Sequence, residues 1–172
     1  MQQLKVLNSK ETKDIYEKLE HYGYKGKLEV IFMLSEKKER IYVFTRDLAN
    51  IDVSKLRIDT MGLYFGTVYD GQLRLTIEGT QIIGPHCTKN IIDVNKKEMQ
   101  TWLQGEKLQV SQLAQHPGTV EGFVILRYNS DYLGCGKIGG DLILNYIPKT
   151  RYIHALYDDV PNAPGEALPL GK

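Results

Sequence analysis

Apolar positions along this chain change their spacing several times, and each change marks an element. Ile15, Tyr16, Leu19 and Tyr22 recur at helical intervals. Asn8 followed by Glu11 has capping-box spacing and Gly23 supplies a stop, so a helix is predicted over 9–21. Segments 28–34 and 40–45 are then rich in β-branched and aromatic residues, and the charged tetrad 36–39 between them suits an exposed hairpin loop. Lys37-Lys38 in that loop reads first as a solvated tip and second as a phosphate contact. Residues 46–57 are mixed and suggest short helical turns. A second hairpin is predicted from 61–69 and 72–77 around Asp70-Gly71, because both central residues of such a turn must tolerate positive φ. Alternation sets Tyr64 and Phe65 on opposite faces and Arg74 on the face away from Leu73 and Leu75. A short helix over 78–83 ends at Gly84-Pro85, the candidate domain boundary.

The second half repeats this punctuation. A strand is predicted over 90–94, and Asn95 with Glu98 forms another capping box. Met99, Trp102 and Leu103 give the helix an apolar face, and Gly105 terminates it. That spacing assigns Trp102 to the core in preference to stacking on a base. A strand over 107–113 and a loop over 114–119 lead into 121–153, where the runs 123–128, 132–136 and 142–147 are separated by Asn129-Ser130-Asp131 and Gly139-Gly140-Asp141. Turn residues between short apolar runs predict an antiparallel meander. Pro148-Lys149-Thr150-Arg151 closes it with positive charge. Beyond 153 the prolines, glycines and Asp158-Asp159 read as an extended tail that buries little. The expected organisation is an N-terminal α+β domain over 1–86, a second domain over 87–157 and a flexible tail over 158–172.

Composition narrows the chemistry. At 172 residues, 42% hydrophobic and 25% charged, the chain has the make-up of a globular protein. A net charge of +1 gives no overall basic field, so nucleic-acid binding would need a local patch. No apolar run approaches the roughly 18 residues of a membrane span, and the first residues carry no secretion pattern, so a cytoplasmic location and no membrane partner are expected. Cys87 and Cys135 read as reduced thiols, and the four histidines are scattered without metal-ligand spacing. His86-Cys87 is adjacent, but strand neighbours point to opposite faces and no third group is evident, so neither catalysis nor a cofactor is expected there. An enzyme built on His86, Cys87 or Asp93 would need those side chains to converge in a pocket.

Leu133-Gly134-Cys135-Gly136-Lys137 and the later run Asn145-Tyr146-Ile147-Pro148-Lys149-Thr150-Arg151 resemble the C-terminal PUA-like region of Sun-type RNA cytosine-5 methyltransferases, notably the RsmF branch. In that family an LGxGK strand is followed by a Gly-rich turn and an ending of the form N-[HY]-x-P-K-x-x-R. Arg151 falls one position earlier than the usual arginine. Leu103-Gln104-Gly105-Glu106 is similar to the family's helix-closing segment, and Met61-Gly62-Leu63-Tyr64-Phe65-Gly66 to a glycine-bracketed strand upstream. The family's cofactor loop and paired cysteine motifs have no counterpart here.

The resemblance implies an α+β protein: an N-terminal α/β domain with antiparallel hairpins, followed by a PUA-like mixed β-barrel. It implies a non-catalytic RNA-binding protein working on rRNA or tRNA, in ribosome biogenesis or RNA modification. Its layout is also similar to ribosome-assembly factors, and an RNA methyltransferase or assembly factor is the alternative partner, docked by the N-terminal domain. The implied RNA-binding residues are Lys137, Lys149, Arg151, Tyr152, Gly105 and Lys107. Lys and Arg would contact phosphate, with Arg suited to bidentate geometry. Gly134 and Gly136 either let an RNA backbone approach or allow curvature and close packing. Tyr146 and Tyr152 either stack on an unpaired base or pack against the protein.

Overall fold

The computed structural model describes residues 4–35, 39–46 and 62–153. The Lys37-Lys38 tip, the turns predicted beyond Arg46 and the 158–172 tail lie outside the described residues.

The first helix follows its sequence signals. α1 spans Ser9–Leu19, where the Asn8 side chain accepts the N–H groups of Lys10 and Glu11 while the Glu11 carboxylate accepts the Asn8 N–H at 2.9 Å. A 3-10 turn over Glu20–Tyr22 ends at Gly23, in the left-handed region. Ile15, Leu19 and Tyr22 face inward and are buried.

Five strands build the first sheet: β1 (Lys5–Val6), β2 (Val30–Ser35), β3 (Arg40–Thr45), β4 (Leu63–Tyr69) and β5 (Gln72–Leu75). They lie in chain order and every pair is antiparallel. The two predicted hairpins are thus joined through β3 and β4 into one sheet. Asp70 and Gly71 both take positive φ, as the turn requires. The strand expected over 72–77 stops at Leu75. Thr76 instead caps α2 (Ile77–Ile83), its hydroxyl accepting the Gly79 N–H at 3.0 Å.

The second sheet contains β6 (Ile91–Asp93), β7 (Leu108–Gln109), β8 (Phe123–Tyr128), β9 (Asp131–Gly139) and β10 (Leu142–Asn145), with α3 (Lys96–Leu103) between β6 and β7. Its order is β6-β8-β9-β10-β7, curled as half a barrel. β6 runs parallel to β8 and the other pairs are antiparallel, so the sheet is mixed as expected. The meander is β8-β9-β10. The strand expected over 107–113 is corrected: two residues pair with β10, and Val110–Gln112 turn in 3-10 geometry, where the Ser111 N–H is drawn to the Asp141 carboxylate at 2.7 Å. Asp93 and Arg127, opposite each other on β6 and β8, meet through two hydrogen bonds of 2.6 and 2.8 Å. Those bonds hold the Asp93 carboxyl below the usual carboxylate range.

One apolar cluster joins the sheets. Leu19, Tyr22, Phe65 and Leu73 from the first half pack with Phe123, Ile125, Tyr132 and Cys135 from the second. The Tyr22 hydroxyl, fully buried, donates to the Leu73 carbonyl at 2.6 Å and lies 3.6 Å from Cys135 Sγ. A second cluster, with Trp102, Ile92, Val124, Leu126, Leu133 and Ile143, lies between α3 and its sheet. Trp102 is fully buried and its Nε1–H donates to the Leu133 carbonyl at 3.0 Å, as the helical spacing predicted for a core residue.

Candidate nucleic-acid interface

The strap after β10 carries three of the six residues singled out for RNA, Lys149, Arg151 and Tyr152. Asn145 anchors its start, donating from Nδ2 to the carbonyls of Trp102 and Glu106 at 2.7 and 3.0 Å. Pro148 leads into a 3-10 turn over Lys149–Arg151, and the Ile153 N–H then bonds the Leu103 carbonyl at 3.0 Å. The strap therefore crosses the second sheet's end toward the C-terminus of α3. Gly105, with φ of 90°, lies under the Tyr152 ring, where a Cβ would come within 2.2 Å of the ring. Gly105 and Tyr152 are thus brought together in a packing contact that locks strap to helix. Lys149 and Lys107 are exposed. Arg151 pairs with Glu78 on α2 and remains largely exposed.

Lys137 stands apart from that group. Its ammonium lies 5.3 Å from the Phe123 ring centroid and 5.4 Å from that of Tyr69, on the seam between the two sheets. Phe123 in turn meets Tyr146 edge to face at 5.9 Å. The two readings of the glycines are resolved toward packing. Gly134 and Gly136 are buried, and a Cβ on Gly136 would come within 2.9 Å of the Trp102 ring and 2.5 Å of Ile143. An RNA backbone does not reach these glycines: Gly136 lets α3 and β10 close on β9, and Gly134 lies against Ile77 of α2.

Where the seam continues past Tyr146 it opens into a cleft of about 400 Å³. Arg40, Tyr64 and Arg74 line it from the first sheet, and Tyr146 and Arg151 from the second half. The Arg40 guanidinium lies 5.1 Å from the Tyr64 ring centroid, and that of Arg74 lies 4.8 Å from Tyr146. Sequence reading set Arg74 on the correct face but gave Arg40 and Tyr64 no chemistry, since nothing local signals that β3, β5 and the strap meet.

Cys87 and Asp93 line one shallow pocket, and His86 lines another. His86 is exposed, while Cys87 is buried and donates its thiol to the Ile83 carbonyl at 3.3 Å. Asp93 is engaged by Arg127. Burial pushes the Cys87 thiol up to about 12 and the Cys135 thiol up to about 11. A raised thiol pKa leaves the neutral, unreactive form dominant until the pH approaches those values. Iodoacetamide at neutral pH should therefore leave both cysteines unmodified in the folded protein and label both after denaturation. Rapid labelling of the native state, read by intact mass, would contradict this. Among the described residues no group of His, Cys, Asp and Glu could hold a metal ion, and no helix is long and apolar enough to cross a membrane.

The two-sheet layout is that of a PUA-domain protein. A conserved PUA domain protein from Thermoplasma acidophilum superposes with a TM-score of 0.57, covering 81% of this chain and 82% of its own at 14% identity. Within that class, residues 89–153 match the methyltransferase RsmF PUA domain family. Over 113 residues the chain is 28% identical to ribosomal RNA small subunit methyltransferase F of Aeromonas hydrophila subsp. hydrophila and 26% identical to that of Aeromonas salmonicida. These matches take in 66% of this chain and 22% of each relative, so the chain spans about a fifth of their length. The family match is to the PUA domain and not to a catalytic methyltransferase domain.

Proposed function

We propose that this chain is a non-catalytic RNA-binding protein whose target is structured RNA, with rRNA ahead of tRNA, serving RNA modification or ribosome biogenesis. The observation that carries the reading is the PUA domain over 89–153, ending in the exposed cationic strap. The rRNA preference rests on the names of the two curated relatives. Lys149 and Arg151 supply phosphate contacts from the strap, and Lys107 adds charge beside it. Tyr152 and Gly105 serve by fixing the strap against α3. Lys137 extends the cationic surface along the seam.

Binding of a fluorescent rRNA hairpin should weaken steeply with salt, as counterions released by each phosphate contact require. Lys149→Ala combined with Arg151→Ala should lower affinity about tenfold at low salt and flatten the dependence of log K on log salt by roughly 1.5–2, about one unit for each lost phosphate contact. Both side chains are exposed, so the melting temperature should hold. Unchanged affinity in that folded double variant would remove the strap from the interface.

A further inference from the structure

We propose that the seam cleft is a second RNA subsite, which takes one unpaired nucleotide between Tyr64 and Tyr146 and holds its phosphates with Arg40 and Arg74. The inference rests on the RNA-binding reading and extends it to residues that precede 89, outside the segment matched as a PUA domain.

Four observations point to this ligand. First, the cleft's volume of about 400 Å³ falls in the roughly 300–1,000 Å³ range of sites that enclose a small planar group. Second, its walls alternate cation and ring. Arg40 lies over Tyr64, Tyr64 lies 5.5 Å from Tyr42 at an interplanar tilt of 33°, and Arg74 lies over Tyr146. Unpaired bases stack on such rings and on guanidinium planes, whereas a duplex offers no free base face. Third, among the described residues no carboxylate pairs with Arg40 or Arg74. Among the described residues that line the cleft, Glu78 is the acidic one, and Arg151 engages it, so there three guanidinium groups face one carboxylate. An anionic ligand with a planar face meets both features at once.

The fourth observation gives the strand a path. From Tyr146 the ring contacts continue to Phe123, then Lys137, then Tyr69, which is 55% exposed. Of these rings Tyr69 and Tyr146 are exposed and present faces to a strand, while Phe123 is buried and links them from beneath. A single strand with one base in the cleft would follow this path with its backbone near Lys137, as stacking platforms with a cationic groove do. Lys137 thereby serves the cleft rather than the strap.

The test uses the full chain with two fluorescent probes, an oligouridylate and a blunt RNA duplex of the same length. Arg40→Gln with Arg74→Gln should weaken oligouridylate binding about tenfold or more and change duplex binding by less than about twofold. Lys149→Ala with Arg151→Ala should weaken both probes. In a separate readout that needs no variant, ultraviolet crosslinking of a 4-thiouridine-substituted strand to the wild-type protein should map to Tyr64 or Tyr146 by peptide mass spectrometry. If the Arg40/Arg74 variant binds oligouridylate like the wild type, or crosslinks fall only on residues 149–153, the cleft is not an RNA subsite, while the strap reading survives. If the wild type binds neither probe at low salt, the RNA-binding reading fails and the subsite with it.

Discussion

Replacing Trp102 by alanine is expected to destabilise the protein by about 3–5 kcal/mol, the usual cost of truncating a large buried aromatic side chain. The indole has no exposed surface, and Gly136 is glycine because the ring occupies the space a Cβ would need. The change also leaves the Leu133 carbonyl without its 3.0 Å donor inside the apolar cluster. Against a typical total of about 5–15 kcal/mol, a loss of this size should lower the melting temperature by roughly 10 °C. Trp102→Phe should fall between, since it keeps much of the packing and loses the hydrogen bond. The functional consequence follows from connectivity. Asn145 takes hold of the helix at the Trp102 carbonyl, and Tyr152 rests on Gly105 just past the helix end, so RNA affinity should fall with α3 anchoring. Thermal melts followed by far-ultraviolet circular dichroism measure the stability change. A drop under about 1 kcal/mol would mean that α3 is not held to its sheet through this residue.

Gly79→Ala should be the other large effect, and helix propensity alone predicts the opposite sign. Alanine inside a helix gains roughly 0.5–1 kcal/mol over glycine. Here the added Cβ would lie 2.1 Å from the Phe65 carbonyl oxygen. That oxygen belongs to β4 and accepts the Thr76 N–H at 3.0 Å, so it cannot swing aside as a side chain could. α2 must lift from the sheet, at a net cost of about 2–3 kcal/mol. Gly71→Ala is the control: no atom lies within 4 Å of its Cβ position, and the cost is the strain of φ at 72°, about 1 kcal/mol. Urea midpoints should rank the wild type above Gly71→Ala and Gly71→Ala above Gly79→Ala. A neutral or stabilising Gly79→Ala would show that α2 does not press on β4. Because Glu78 rides on α2 and holds Arg151, displacement of the helix should also disturb the cleft.

Local chemistry explains which parts of this fold could be read from the chain. Both capping boxes form, because Asn8 with Glu11 and Asn95 with Glu98 satisfy one another within one turn of helix. Asp70-Gly71 makes its turn, and Phe65 and Tyr64 divide between core and cleft as alternation requires. What stayed illegible depends on distant partners. β1 and β7 have two residues each, too few to show a period, and exist because β2 and β10 offer them an edge. The parallel pairing of β6 with β8 leaves no local mark either. Gly134 and Gly136 looked equally suited to RNA or to packing until Ile77 and Trp102 were seen against them. Of the candidate site, the charge of the strap was visible in Lys149 and Arg151, whereas the cleft needed Arg40, Tyr64 and Arg74 of the first sheet to meet Tyr146, which follows the last strand of the second.

The shortness of the outer strands bears on how readily another chain could add to either sheet. Of the four sheet edges among the described residues, β1 and β7 expose two residues each and β6 three, with β5 the longest at four. An edge of that length offers few unpaired N–H and C=O groups to an incoming strand, the template on which aggregation and strand addition both depend. A peptide arriving as an extra strand on β1 or β7 would find few such groups to hold.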